Sequence, residues 1–287
     1  MRSLIFAGGG LKVAFQAGVL QVWLDETGLT FDHGDGASGG VFNLATWAQG
    51  MSGREIADKW RDFRPSRAIS INPPGWLWPF GARSLFTFDR FRRRILRDEW
   101  GLDWDEIQST SRDATFNVYN FTRQRHEVRT ADQMTEDLLI SGVSLPLWFP
   151  PVTIDGDVYI DPVYATDANL EEAIRRGADE LWVIWTVNEG GEWRNGPIHH
   201  YFQIIEAAAN SSLRGVLDRI ERNNAAIDAG VTSEFGRRID VRLLRAEVPL
   251  HYLFTLRAGR YREAVELGVE AGRTWCHAHG IEIRPVP

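Results

Sequence analysis

Short apolar runs that end at glycines alternate with helical patterns over the first 50 residues. Residues 3–7 form an apolar run that stops at Gly8, and residues 11–24 place apolar side chains at helical spacing. A second strand is predicted over residues 31–37, followed by a helix over residues 38–49. The repeated order of strand, turn and helix predicts a parallel sheet with crossover helices.

The rest of the chain also alternates between helical spacing of apolar residues and short apolar runs typical of strands. Helices are predicted at residues 88–97, 103–109, 135–141, 168–176, 201–227 and 261–277. Strands are predicted at residues 115–121, 126–129, 152–154, 158–160, 180–187 and 239–244. No internal repeat is present in the sequence, so we expect one domain over residues 1–287.

Residues 64–86 interrupt this alternation. They contain Pro65, Pro73, Pro74 and Pro79 together with Trp76, Trp78 and Phe80. Prolines at this density, among aromatic residues, predict an irregular segment. We interpret the segment as a candidate cap insertion.

Composition narrows the class of protein. With 287 residues, 44% hydrophobic and 25% charged, the chain has the make-up of a globular protein with a sizeable core. Its net charge of −7 argues against a nucleic-acid partner. The single cysteine, Cys276, excludes an internal disulfide framework, and the apolar runs are too short for a signal peptide or a membrane helix. We therefore expect a cytoplasmic protein.

The pentapeptide Gly36-Ala37-Ser38-Gly39-Gly40 has the form Gly-x-Ser-x-Gly. A serine on a sharp turn between strand and helix presents its hydroxyl at the edge of a sheet, where it can attack a substrate. The predicted elements on either side supply that context. The alternative is a turn of small residues in which Ser38 caps the following helix.

The glycine run Gly8-Gly9-Gly10 follows the first predicted strand and precedes a helix. Backbone N–H groups and the helix dipole then converge on one point, which suits a phosphate or the oxyanion of an acyl-transfer intermediate. The competing interpretation is a dinucleotide-binding fingerprint, although Val13 stands where its third glycine belongs.

A nucleophilic serine needs a base. None of the histidines stands in a motif that would pair it with Ser38, and each is interpreted as structural or solvated. Ser38 follows only the second predicted strand, earlier than the nucleophile of the α/β-hydrolases. A carboxylate is therefore the candidate base.

Three blocks in the chain resemble the patatin-like phospholipases. They are residues 7–12, Ala-Gly-Gly-Gly-Leu-Lys; residues 36–40, Gly-Ala-Ser-Gly-Gly; and residues 144–161, from Ser-Leu-Pro-Leu-Trp-Phe-Pro-Pro-Val to Tyr-Ile-Asp. They resemble, in the same order, the glycine-rich oxyanion loop, the serine elbow and the aspartate block of that family. The resemblance implies a three-layer α/β/α fold with a mostly parallel central sheet.

The resemblance also implies the chemistry. Ser38 would attack an ester carbonyl, Asp161 would take its proton, and the loop Gly8-Gly9-Gly10 would form the oxyanion hole. Residues 147–149, Leu-Trp-Phe, would line the acyl-chain channel. The implied substrate is a phospholipid, a lysophospholipid or another acyl ester, and no metal or cofactor is required.

The aspartate block departs from the family pattern. Asp161 is followed by Pro162 and Val163 where the family has two glycines, or glycine and alanine, and Asp167 stands where an asparagine is usual. Proline removes a backbone donor and restricts the preceding residue. The alternative to an active hydrolase is therefore a catalytically weak or inactive relative that binds lipid or regulates.

Two segments suit transient contact with a membrane surface. Arginines cluster at positions 90, 92, 93, 94 and 97, and residues 76–80 read Trp-Leu-Trp-Pro-Phe. Arginine attracts anionic headgroups, and tryptophan favours the lipid interface. The alternatives are a solvated helix face and a cap packed on the domain. No oligomeric state is predicted.

Overall fold

A sheet of eight strands forms the centre of the computed structural model, which describes residues 1–73 and 84–284. Its strands are β1 (Arg2–Phe6), β2 (His33–Gly36), β5 (Asp113–Asn120), β6 (Arg125–Thr130), β7 (Val152–Ile154), β8 (Asp157–Ile160), β9 (Glu180–Trp185) and β10 (Asp240–Arg245). Two further short strands, β3 (Ser70–Ile71) and β4 (Phe86–Thr87), pair with each other outside this sheet.

Helices cover both faces of the sheet. They are α1 (Val13–Leu20), α2 (Gly40–Ala48), α3 (Gly53–Arg61), α4 (Pro65–Ala68), α5 (Phe91–Glu99), α6 (Trp104–Gln108), α7 (Glu136–Ser141), α8 (Leu170–Arg175), α9 (Pro197–Asp228) and α10 (Gly259–Ala278). Of these, α5 has π-helical geometry, and α1 continues into a π-helical turn over Gln21–Glu26. In the ranges that the structure describes, no helix is long and apolar enough to cross a membrane.

The strand order is β10-β9-β1-β2-β5-β8-β7, with β6 paired to β5. The pairs that join β10, β9, β1, β2 and β5 are parallel, whereas β6, β7 and β8 pair antiparallel. The chain moves outward from β1 through β2 and β5 and later returns to β9 on the opposite side of β1. The carboxyl end of β1 is therefore a switch point of the topology, where ligands bind in open α/β sheets.

Alternating side chains along the central strands build two separate cores. Leu4 and Phe6 face one core with α1, α2 and α10, whereas Ile5 and Ala7 face the other with α8 and α9. Successive side chains of a strand point to opposite faces, so both faces must be covered. The fold is thus the three-layer α/β/α architecture that the resemblance implies.

Most predicted elements are confirmed with shifted ends, and three features were not predicted. Helix α4 lies inside the candidate cap insertion, where Pro65 occupies the first helical turn and its missing N–H is tolerated. Helix α3 was missed, although its Ser52 and Glu55 form a capping box whose spacing is visible in the sequence. Strands β3 and β4 lie inside or at the edge of the candidate cap insertion. Residues 74–83 of that insertion, including the Trp-Leu-Trp-Pro-Phe segment, lie outside the described residues.

Candidate active site

Ser38 lies on the turn between β2 and α2. Its φ of 46° places it in the left-handed region, which is strained for a residue with a side chain. The next two residues must be glycine because the backbone packs closely there. A Cβ on Gly39 would lie 2.3 Å from the Gly10 carbonyl oxygen, and one on Gly40 would lie 1.9 Å from that of Phe6. The serine turn is therefore pressed against β1 and the glycine loop that follows it.

Asp161 faces Ser38 from the end of β8. The Ser38 Oγ donates a hydrogen bond to Asp161 Oδ2 at 2.9 Å, across 123 positions of sequence. Both side chains are buried, with 5% and 1% of their surface exposed. The structure thus brings together the two residues that the sequence analysis named as nucleophile and base.

Pro162 leaves the hydrogen bonding of Asp161 intact. The N–H that reaches Asp161 Oδ1, at 2.9 Å, belongs to Val163. Pro162 begins a single 3₁₀ turn, a position at which a missing N–H has no consequence. The backbone N–H of Asp161 donates to the Ser144 carbonyl at 3.1 Å, which holds the strand end in place.

Burial controls the ionisation of Asp161. Desolvation raises the pKa of its carboxyl from 3.8 to about 7, and the hydrogen bonds from Val163 and Ser38 oppose this rise. A base with a pKa near the working pH is best placed to accept a proton and release it again. The geometry and the pKa of Asp161 both suit that exchange.

The glycine loop after β1 is fastened at both ends. The Gly8 N–H donates to the Asp167 carbonyl, and the Leu11 N–H donates to the Tyr252 carbonyl, each at 2.8 Å. Between them, Gly9 (φ 135°) and Gly10 (φ 57°) adopt backbone angles that favour glycine. Their N–H groups have no hydrogen-bond partner in the ranges 1–73 and 84–284.

Gly8 therefore differs from its expected role in the oxyanion hole. Its N–H is engaged by Asp167, so it anchors the loop instead of facing the site. The donors left free in the loop are those of Gly9 and Gly10. Both glycines line a small cavity together with Ser38.

An apolar cleft opens in front of Ser38. Its aromatic and aliphatic wall comprises Leu11, Phe42, Phe63, Pro65, Ala68, Ile69, Phe86, Phe88, Phe91, Val143, Leu145, Phe149, Leu253 and Phe254. Phe88 and Phe149 stack with their rings 4.0 Å apart. Asp161 is the only charged group in the lining, among the residues that the structure describes.

The expectation for residues 147–149 is only partly met. Phe149 lines the cleft, but Leu147 is 47% exposed and Trp148 packs into the core beside α9, stacked on Phe202. The backbone turns at Leu147, whose φ is 75°, so the side chains of Trp148 and Phe149 point in different directions. Residues from the described ends of the candidate cap, Ile69 and Phe86, line the cleft as well.

A buried polar network beneath Ser38 was not predicted. The Asp35 carboxylate accepts hydrogen bonds from Thr115 at 2.6 Å and Asn117 at 2.7 Å, and Asn117 also donates to the Gly36 carbonyl. Burial raises the pKa of Asp35 to about 7. His33 continues the network through Thr115 and Ser3, so this histidine is structural. The network supports the strand that carries Ser38.

The clustered arginines at positions 90–97 lie mostly on the surface. Of the clustered arginines, Arg92 pairs with Glu136 and Asp137, while Arg90, Arg93, Arg94 and Arg97 are exposed. No group of His, Cys, Asp and Glu side chains in the described ranges is arranged to hold a metal ion.

The chain matches the model of a known protein family. The family model for patatin-like phospholipases matches residues 4–174, a span that includes the glycine loop, Ser38 and Asp161. The chain belongs to the patatin-like phospholipase family.

One similar solved structure is that of VipD from Legionella pneumophila. It has 14% sequence identity and a TM-score of 0.45, and the match covers 97% of this patatin-like chain and 66% of that chain. The patatin-like chain thus spans just under two thirds of the VipD structure. No curated protein matches the chain.

Proposed function

We propose that this protein hydrolyses carboxylic esters of lipids with Ser38 as nucleophile and Asp161 as general base. The observation that carries the proposal is the 2.9 Å hydrogen bond from Ser38 Oγ to Asp161 Oδ2 at the head of an apolar cleft. A buried serine that donates to a carboxylate has an acceptor for the proton it loses on attack. The apolar cleft would bind the acyl group of the substrate.

The reaction has two halves. Ser38 Oγ attacks the ester carbonyl carbon while its proton passes to Asp161, and the oxygen of the tetrahedral intermediate becomes an oxyanion. When the intermediate collapses, Asp161 gives that proton to the departing alcohol, and the acyl group remains on Ser38. Water then attacks the acyl-enzyme carbonyl and gives a proton to Asp161. When this second intermediate collapses, the C–Oγ bond breaks, Asp161 returns the proton to Ser38 Oγ, and the free acid leaves.

The N–H groups of Gly9 and Gly10 are the proposed oxyanion donors. Their freedom from other partners and the contact of Gly10 with Gly39 support this role. Donors that are fixed before the reaction need no reorganisation when charge develops. Loss of one such donor commonly lowers kcat by about 10²–10³-fold.

The substrate follows from the cleft and the surface beside it. The aromatic wall suits an acyl chain, and the exposed arginines of α5 suit an anionic lipid surface. Phe91 of the same helix lines the cleft, so the arginines lie on an element that walls the site. We therefore assign a phospholipid, lysophospholipid or related acyl ester, met during transient contact with a membrane.

Matched variants test the proposal. Ser38→Ala and Asp161→Asn should each lower hydrolysis of a short-chain ester by at least about 10³-fold, the scale of losing a nucleophile or its base. Ser141→Ala is the control, since Ser141 is buried and hydrogen-bonded but lies outside the pair. Undiminished turnover by folded Ser38→Ala would exclude Ser38 as nucleophile.

A further inference from the structure

Asp167 is a buried carboxyl group without a partner. Its side chain is 1% exposed, and neither Oδ1 nor Oδ2 has a hydrogen-bond partner in the described part of the chain. Asp35, the other buried carboxyl beside the site, is held by Thr115 and Asn117. A buried polar group left unsatisfied costs free energy, so an unpartnered carboxyl indicates a partner that binds there.

The position of Asp167 relative to the glycine loop is fixed by two contacts. Its backbone carbonyl accepts the Gly8 N–H at 2.8 Å. Its carboxyl lies directly over Gly8, since a Cβ at that position would come within 1.7 Å of Asp167 Oδ1. Gly8 immediately precedes the two glycines whose N–H groups are free, so the carboxyl is held beside those donors.

The same small cavity is lined by Asp167, Gly9, Gly10 and Ser38. Its remaining lining is mainly apolar: Leu145, Val163, Val187, Phe202, Ile205 and Tyr252. No positively charged side chain is among them, so within the described residues no cation in the lining offsets the charge of an ionised carboxylate. Burial and the nearby Asp161 charge both raise the pKa of Asp167 well above its usual range.

We propose that Asp167 acts as a neutral carboxylic acid and is a third donor of the oxyanion hole, beside the N–H groups of Gly9 and Gly10. The acid O–H donates a hydrogen bond to the substrate carbonyl oxygen as negative charge develops on it. The proton stays on Asp167 throughout, and the proton of Ser38 still passes to Asp161. A carboxyl kept neutral by an apolar site can act in this way.

The neutral form also fits the charge of the site. Asp161 must be ionised before it can accept the Ser38 proton, and a second carboxylate nearby would repel the developing oxyanion. A protonated Asp167 adds a donor without adding charge. This inference rests on the proposed function, because it requires an acyl-transfer oxyanion at Ser38.

Two variants of Asp167 separate a donor from a packing group. Asp167→Leu has similar size and no donor, whereas Asp167→Asn keeps a neutral donor through its amide. With a water-soluble short-chain ester, we expect Asp167→Leu to lower kcat about 10- to 100-fold, with KM changed less than about threefold. Asp167→Asn should retain kcat within about fivefold.

A trifluoromethyl ketone inhibitor gives an independent readout. It adds to Ser38 as a tetrahedral hemiketal oxyanion, with the Ser38 proton taken by Asp161. Its inhibition constant should rise in Asp167→Leu by about the same factor as kcat falls, and change little in Asp167→Asn. If Asp167→Leu does not fold, Asp167→Ala replaces it in both measurements.

The inference is overturned if folded Asp167→Leu, or Asp167→Ala in its place, keeps wild-type kcat. It is equally overturned if Asp167→Asn loses as much kcat as the variant without a donor. Ser38→Ala, measured in parallel, isolates the underlying proposal: turnover by that variant removes the proposed function itself. An inactive Ser38→Ala with unaffected Asp167 variants removes only the third donor.

Discussion

The raised pKa of Asp161 predicts how hydrolysis depends on pH. Asp161 must be ionised in the free enzyme to accept the Ser38 proton, so kcat/KM follows its ionised fraction. The perturbation is a shift from pH 8 to pH 5.5. The pKa of about 7 places this interval across the titration of the group.

The magnitude follows from that pKa. About nine tenths of Asp161 is ionised at pH 8 and about 3% at pH 5.5, so kcat/KM should fall roughly 30-fold. With the unperturbed pKa of 3.8, the fall over the same interval would be negligible, because the carboxyl would be ionised at both pH values. The pH profile therefore tests burial as the cause of the shift.

The assay uses a water-soluble short-chain ester, with the released acid measured by chromatography so that detection does not depend on pH. Circular dichroism at each pH shows that the protein stays folded. Asp35→Asn is the control, because burial raises the pKa of Asp35 to about 7 as well. A flat profile from pH 5.5 to 8.5 refutes the reasoning, and so does an acid limb that disappears in Asp35→Asn.

Three further predictions concern stability and substrate choice. The pKa of Asp161 is higher in the folded protein than its unfolded value of 3.8, so ionisation of this group lowers the free energy of unfolding. The loss is absent below about pH 3.8 and complete above about pH 7. Asp161→Asn should therefore raise the free energy of unfolding by up to about 4 kcal/mol at pH 8, and by less at pH 4.5. Urea unfolding measures both values, and an equal gain in stability at the two pH values would contradict this prediction. Gly40→Ala should destabilise by about 3 kcal/mol or more because its Cβ meets the Phe6 carbonyl at 1.9 Å, whereas Gly215→Ala in α9, with open space around it, should stabilise by about 0.5–1 kcal/mol. Equal thermal midpoints for these two variants would refute the packing argument. Ile69→Trp fills the cleft and should lower kcat/KM for long-chain esters at least about tenfold more than for butyrate esters. Ile71→Trp is the control: Ile71 is 62% exposed, so this variant should leave the ratio of the two kcat/KM values unchanged.

The local turns of the site were predictable from the sequence. A strand that runs into Gly8-Gly9-Gly10 and a serine between small residues both follow from short-range backbone requirements. The pairing of Ser38 with Asp161 could be predicted only through the family resemblance, since 123 positions separate the two residues. Helix α3 was predictable from its Ser52 and Glu55 capping box and was nevertheless missed.

The surroundings of the site were not predictable, because they depend on contacts between distant segments. Which of Leu147, Trp148 and Phe149 faces the cleft is decided by a turn, by the packing of Trp148 against α9 and by the stacking of Phe149 on Phe88. The Gly8 N–H is diverted by a carbonyl 159 positions away, that of Asp167. The unpartnered state of the Asp167 carboxyl likewise has no signature in the sequence.

Labelling of Ser38 by a fluorophosphonate tests the central claim most directly. This probe phosphonylates an activated serine, and peptide mass spectrometry identifies the modified residue. In the folded protein at pH 8, we expect a single adduct on Ser38, formed at least about 100-fold more slowly in Asp161→Asn and unchanged in Ser141→Ala. An unlabelled Ser38, or labelling that is equally fast in Asp161→Asn, would contradict the account.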